Sequence, residues 1–195
     1  MRNPTDEGGL YMRKVVAWEL VSLDGVMEKP ENWSFSYSND EMAEANASGM
    51  ADSDAMLLGR VTYQEFASYW PHQNSAEQPF TDYLNNTPKF VVSTTLEEPL
   101  EWNNSTLIKG DVAEEVAKLK RQPGKEIVIL GSGTLVRSLL REDLLDELRL
   151  MVHPVVLGRG KRLFEEGGEQ KAPKLVDSKT FSTGVVYLTY QPAHS

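Results

Sequence analysis

Three turns carry the residue types from which a phosphate site can be built. They are Gly59-Arg60-Val61-Thr62, Ser93-Thr94-Thr95 and Gly131-Ser132-Gly133-Thr134. Each follows a short apolar run that reads as a strand. Glycine lets a phosphate approach the backbone, and a helix N-terminus offers unpaired N–H groups and partial positive charge. The hydroxyls of Thr62, Ser93, Thr94 and Thr134 can donate to phosphate oxygens, and Arg60 can add charge. In an open α/β sheet the carboxyl ends of parallel strands border one crevice, so together the turns describe a dinucleotide site divided among loops. Singly, a glycine after a strand marks only a turn. The stretch from Gly131 lacks the third glycine of a Rossmann fingerprint. No GxxxxGKS/T run occurs in the chain, which excludes P-loop phosphotransfer.

Other side chains bear on a substrate. Asp24, in a loop after the first apolar run, could donate a proton if desolvation raised its pKa; Asp24-Gly25 is equally a turn signal. Trp18, Trp33 and Trp70 could wall a flat heteroaromatic ring, or simply pack. His72, His153 and His194 are scattered without ligand spacing, so no metal site is expected. His153, inside a strand pattern before Pro154, reads as structural, while His72 and His194 read as solvated. Gly158 to Arg162 reads as a connecting turn, although its basic residues could meet a phosphate.

Composition narrows the field. The 195 residues include no cysteine, which removes disulfides, thiolate nucleophiles, zinc-thiolate sites and iron–sulfur clusters. With 20 Lys plus Arg against 29 Asp plus Glu the formal charge is −9, so nucleic-acid binding is not expected. No apolar run approaches the roughly 18 residues of a membrane span, and the polar N-terminus lacks the apolar centre of a signal peptide. A cytoplasmic setting is expected.

The elements that position these residues follow from periodicity. Residues 1–11 read as a disordered lead-in, and 12–192 as a single domain. Met12–Val21, Ala55–Leu58, Lys89–Ser93, Thr106–Ile108, Glu126–Leu130 and Glu147–Val152 read as strands, as does Pro154–Leu157. Asp40–Ala51 and Phe80–Asn85 read as helices, as does a segment opened by Thr62 with Glu65 in capping-box spacing. A further helix is capped by Asp111, and another carries Leu135, Val136, Leu139 and Leu140. Lys174–Phe181 and Gly184–Tyr190 read as two strands joined by a tight turn. Strand and helix alternate over the first two-thirds, and strands dominate the last third. The expected fold is therefore α/β, with a mixed, mostly parallel sheet and an antiparallel C-terminal edge.

Five blocks then occur in the order of the dihydrofolate-reductase fold: SLDGVM (22–27), GRVTYQEF (59–66), KFVVSTTL (89–96), EIVILGSGTLVRSLL (126–140) and DELRLMVHPVVLGRGKRLFE (146–165). The chain resembles the dihydrofolate-reductase-like superfamily, and within it the reductase domain of riboflavin biosynthesis, over roughly Met12 to Tyr190. The resemblance implies a three-layer fold with helices on both sheet faces and an NADPH-dependent reductase. It assigns Gly59, Arg60 and Thr62 to the pyrophosphate and adenosine phosphate, and Ser93 and Thr94 to the adenosine 2′-phosphate. Gly131, Ser132, Gly133, Thr134 and Leu135 would wrap the pyrophosphate and nicotinamide ribose. Ala17 and the loop around Asp24, Gly25 and Val26 would border the nicotinamide. It also implies a homodimer.

The sequence departs from that pattern at three places. Thr94 stands where many relatives carry Arg, so NADH is kept beside NADPH as cofactor. Leu130 stands where riboflavin-pathway reductases carry an acidic residue before the glycines. The folate-type carboxylate has no clean match, although Asp40, Glu41 and Glu44 lie in its region. The expected activity is NAD(P)H-dependent reduction of a small heterocyclic carbonyl or imine, as in reduction of a ribosylaminopyrimidine to a ribitylaminopyrimidine. Dihydrofolate reduction is the second reading, and a non-catalytic nucleotide-binding protein of the same fold is the third.

Overall fold

A computed structural model describes residues 12–193 except Pro79 and Glu169. The expected lead-in and His194 lie outside the described residues. The elements run β1 (Val15–Ser22), α1 (Asp40–Asp52), β2 (Ser53–Gly59), α2 (Arg60–Tyr69), α3 (Thr81–Asn86), β3 (Lys89–Val92), β4 (Ser105–Ile108), α4 (Val112–Lys120), β5 (Glu126–Leu130), α5 (Gly133–Arg141), β6 (Glu147–His153), β7 (Lys174–Thr180) and β8 (Val186–Gln191).

Among the described residues, eight strands form one sheet in the order β4-β3-β2-β5-β1-β6-β8-β7. β1 to β6 are mutually parallel, and β8 returns antiparallel against both β6 and β7. Alternation along the strands assigns side chains to two faces. Val15, Ala17, Ala55, Leu57, Ile127 and Ile129 pack with Val116 and Leu119 of α4 and Leu135, Val136 and Leu139 of α5. Met56, Leu58, Val91 and Val128 face the other way, against Tyr63 of α2, Leu84 of α3 and Trp102. Met42 of α1 covers Met151 on that second side. The result is the expected three-layer, mostly parallel α/β fold.

Two details depart from the sequence reading. α2 begins at Arg60, with Gly59 as N-cap and no side-chain cap, rather than at Thr62. Thr62 lies buried inside the first turn, where its hydroxyl accepts a hydrogen bond from Ser132 Oγ (3.1 Å). Residues 154–157 form no strand. The backbone turns at Pro154, where Val155 N–H bonds back to His153 O, and Leu23 N–H takes Val155 O. By contrast Asp111 does cap α4, accepting from Glu114 N–H, as expected.

Candidate functional site

The sheet order places the three turns on one edge. β3, β2, β5 and β1 are consecutive neighbours, so Ser93, Gly59 and Gly131 lie side by side at the carboxyl ends of β3, β2 and β5, and β1 runs past them to Ser22. Leu57 is level with Ile129 and Trp18 with Leu130, which brings Gly59 and Gly131 to the same height. From β2 the chain continues through α2 outward to β3. From β5 it continues through α5 in the opposite direction, past β1 to β6. The two helices pack on opposite sheet faces. That reversal between adjacent strands opens a crevice, the place where ligands bind in such sheets.

Both helix N-termini at this crevice lack side-chain caps, at Gly59 for α2 and Ser132 for α5. α1 and α4 are capped instead by Asn39 and Asp111. The open N-termini leave backbone N–H groups and two positive dipole ends facing one gap. Ser132 joins its walls: its Oγ accepts from Gly59 N–H (2.8 Å) and donates to Thr62 Oγ1. Gly131 sits at φ +67°, a left-handed turn that side chains resist, and a Cβ there would meet Thr62 Cγ2 at 3.4 Å. A Cβ at Gly133 would meet Met27 Sδ at 2.5 Å, so the 22–27 loop packs directly on the start of α5. Arg60 is exposed at the first turn of α2 and donates to Gln64 (2.9 Å). Thr134 is exposed and Leu135 buried beneath it.

At β3, Ser93 is buried and its Oγ accepts from Thr95 N–H and Leu96 N–H (3.1 and 3.0 Å). It therefore shapes the turn, while Thr94 stands exposed beside it. Ala17 is fully buried in the strand interior. Gly25 adopts φ +78° in the loop after β1, and buried Val26 bridges to Arg162.

Asp24 is tied into the loop structure by hydrogen bonds. Its carboxylate accepts from Ser22 Oγ (2.7 Å), Leu157 N–H (3.1 Å) and Gly158 N–H (2.8 Å). These donors lower its pKa to about 2, Ser22 contributing most. An ionised carboxylate with those bonds is no proton donor at neutral pH; it latches the 22–27 loop to the 155–162 segment. Arg162 Nε adds a bond to Asp24 O (2.8 Å), and Lys161 N–H donates to Glu28. The basic turn thus belongs to this latch.

The sequence reading passed over Glu19. It lies on β1 between Ala17 and Val21, both in the apolar stripe beneath α5. It is 2% exposed, and its Oε2 accepts from Gly131 N–H (3.0 Å). Its Oε1 is buried and has no partner among the described residues. Burial raises its pKa to about 8 against the opposing effect of the Gly131 bond, so the carboxyl is neutral at pH 7. A lone acid inside the apolar run VVAWELV was the available signal.

The aromatic side chains divide. Trp18 lies against α1 so closely that a Cβ on Gly49 would fall 2.5 Å from its ring. Trp33 Nε1 donates to Glu28 O (3.0 Å), and its ring meets His153 edge-on at 5.2 Å. Tyr37 meets the same imidazole from another side at 5.7 Å. His153 is fully buried, and desolvation lowers its pKa. Trp70 joins Phe66 and Tyr69 on the outer part of α2, and His72 is exposed. A small apolar hollow of about 170 Å³ adjoins the 22–27 loop, lined by Val21, Leu23, Gly25, Val152, Leu163 and Phe164.

These features define an α/β protein of the dihydrofolate-reductase type, with its crevice between β2 and β5. Residues 13–187 match the model of the RibD C-terminal domain, and the chain belongs to that family. Two Bacillus subtilis (strain 168) proteins of uncharacterised activity are similar along nearly their whole length. YyaP is 32% identical over 184 residues, covering 93% of this chain and 96% of its own. YwjB is 31% identical over 180 residues, covering 89% and 95%. Among solved structures, a riboflavin-biosynthesis-type protein of Shewanella sp. PV-4 superposes with a TM-score of 0.74 at 24% identity, covering 93% of this chain and 99% of that one. A Thermotoga maritima deaminase/5-amino-6-(5-phosphoribosylamino)uracil reductase superposes with a TM-score of 0.64 at 14% identity; the match covers 93% of this chain and 57% of that longer one.

Proposed function

We propose that this protein is an NAD(P)H-dependent reductase acting on a small heterocyclic carbonyl or imine, in the manner of the ribosylaminopyrimidine reduction of riboflavin biosynthesis. The observation that carries the reading is the pair of uncapped helix N-termini, α2 and α5, held together by Ser132 at the sheet's reversal point. Membership of the RibD C-terminal domain family supports the reductase class.

The residues present fit a dinucleotide. Free N–H groups at the two helix starts suit a pyrophosphate, and the carboxyl beneath Gly131 is neutral rather than charged at pH 7. Ser132, Gly133, Thr134 and Leu135 would hold the pyrophosphate from α5, with Gly59, Arg60 and Thr62 opposite. Thr94, exposed beside Ser93, would approach the adenosine 2′-phosphate, with Arg60 as the nearby cation. The cofactor, when bound, supplies a hydride; the protein's task is to align it with the acceptor carbon and exclude water. The Asp24 latch fixes the 22–27 loop that would border the reacting ring. Trp18 and Trp33 would face the substrate end. The reading includes a homodimer, with edge strand β7, exposed along its whole length, as the candidate surface.

Titration with NADPH and NADH, followed by Trp fluorescence, tests the cofactor half in the wild type and in Arg60→Ala. Saturable binding of NADPH, weakened about tenfold by loss of one charged hydrogen bond, is the expected result. Absence of binding by either nucleotide overturns the reductase reading. Hydride transfer to pyrimidine intermediates, against dihydrofolate as the competing substrate, then tests the substrate half.

A further inference from the structure

Glu19 is a buried acid that the proposed reaction does not use. It stands one residue past the level of Leu130 in the β1–β5 pairing, where its carboxyl reaches the Gly131 turn. One oxygen takes the Gly131 N–H, and the other has no hydrogen-bond partner among the described residues. Its neighbours on β1, Ala17 and Val21, are apolar, as are Leu148 and Leu150 across on β6 and Leu135 on α5. Charged groups near this region are engaged elsewhere. Arg137 of α5 donates to Leu163 O and Thr134 and pairs with Glu165. Asp24 and Glu28, on the loop after β1, take backbone N–H groups of 157–161. Among the described residues, burial and the Gly131 bond act on the carboxyl and no charged side chain contributes.

We propose that Glu19 is a positioning residue of the nucleotide site: neutral, it holds the Gly131 turn open to a pyrophosphate, and ionised, it opposes one. The proposal rests on the nucleotide reading above. A pyrophosphate seated on the N–H groups that follow Gly131 brings negative charge to the turn whose first N–H Glu19 already takes. In a poorly solvated setting like charges that close repel strongly, so nucleotide and ionised Glu19 exclude one another. By linkage, a nucleotide that binds only the neutral form must take up a proton wherever the free protein has lost it. With the free carboxyl titrating near pH 8, the effect falls between about pH 7.5 and 9.5.

The experiment is calorimetric titration of the full chain with NADH and with NADPH at pH 7, 8 and 9, each in two buffers of different ionisation enthalpy. NADH is the primary probe, because it lacks the 2′-phosphate and its own titration. The wild type should take up about half a proton or more per NADH near pH 8.5, and its affinity should fall about tenfold between pH 7 and 9. Glu19→Gln should bind NADH with no such uptake and a flat profile. Glu19→Asp, an ionisable acid too short to reach the turn as well, should bind more weakly while keeping a pH dependence. Uptake and pH profiles that are the same in the wild type and Glu19→Gln overturn the proposal while leaving the nucleotide site standing. Absence of binding by either nucleotide at any pH overturns the nucleotide reading instead. Should Glu19→Gln fail to fold, proton uptake by the wild type alone decides: none at pH 8.5 overturns the proposal.

Discussion

Replacing Glu19 by Gln should change the pH dependence of stability more than stability itself. The carboxyl's pKa stands near 8 in the folded chain against 4.5 as its ordinary value. Between those values the folded protein holds a proton that the unfolded chain has released. The sign follows: the carboxyl's contribution is fully present below about pH 4.5 and is lost as pH rises toward 8. Each pH unit inside the window is worth about 1.4 kcal/mol, so from pH 5 to 8 the wild type should lose about 4 kcal/mol relative to the Gln variant. The amide also strands a buried N–H donor, at a cost of about 1–3 kcal/mol. That cost does not vary with pH, so it displaces the difference curve without tilting it. Every other titrating group is common to both chains and cancels. Urea unfolding at pH 5, 6, 7 and 8, followed by tryptophan emission, measures the difference. Parallel stability profiles for the two proteins would refute the reasoning, because they would mean that Glu19 is ionised in the folded state.

Three further outcomes follow from the geometry. Ser132→Ala removes both bonds that tie the α5 turn to α2; it should cost about 1–2 kcal/mol and weaken nucleotide binding, read by denaturation and titration. Asp24→Asn should leave secondary structure intact but speed amide exchange in 22–27 and 155–162. In the wild type that protection should fade as pH drops from 3.8 toward 2, since a depressed carboxylate pKa gives stability that is lost on acidification. Lys89 is buried, donating to the carbonyls of Asn85, Thr87 and Asn103 beneath the Trp102 ring. Desolvation lowers its pKa to about 8, so stability relative to Lys89→Met should rise from pH 8 to 10.5, where the unfolded chain holds the extra proton.

Much of the fold was legible because its signals are local. EIVIL followed by glycines and an apolar-striped helix can only be a buried strand feeding a helix, and β5 and α5 stand where that pattern put them. The start of α2 was misplaced because Thr62 and Glu65 have capping-box spacing. The helix in fact starts at Arg60, and Ser132, which bonds both Gly59 N–H and Thr62, lies 70 residues from Thr62 and is invisible to a local rule. Residues 154–157 are apolar enough for a strand, yet their backbone is used to hold the 22–27 loop. The bonding of Asp24 was hidden from a local reading in part for a related reason. Ser22, two residues away, lowers its pKa most, but the N–H groups of Leu157 and Gly158, more than 130 residues distant, add to that and tie it to the 155–162 segment as a latch.

Leu130 shows how the same limit hides a site residue. Read along the chain, an apolar residue before the glycines is a missing carboxyl. Read across the sheet, Leu130 pairs with Trp18, and the next residue of β1 sends its carboxyl to Gly131 N–H. The turn therefore has an acid after all, supplied by the adjacent strand and not by its own. Parallel pairing makes this substitution of origin geometrically cheap, because neighbouring strands end about 4.8 Å apart and a glutamate spans that gap. The two placements differ in one respect that matters for function. A carboxyl on the turn itself faces the crevice and can contact what binds there. Glu19 comes from the apolar stripe below, 2% exposed, and reaches a ligand only through the Gly131 N–H it holds. Its proton is thus positioned to govern whether a phosphate can be accepted.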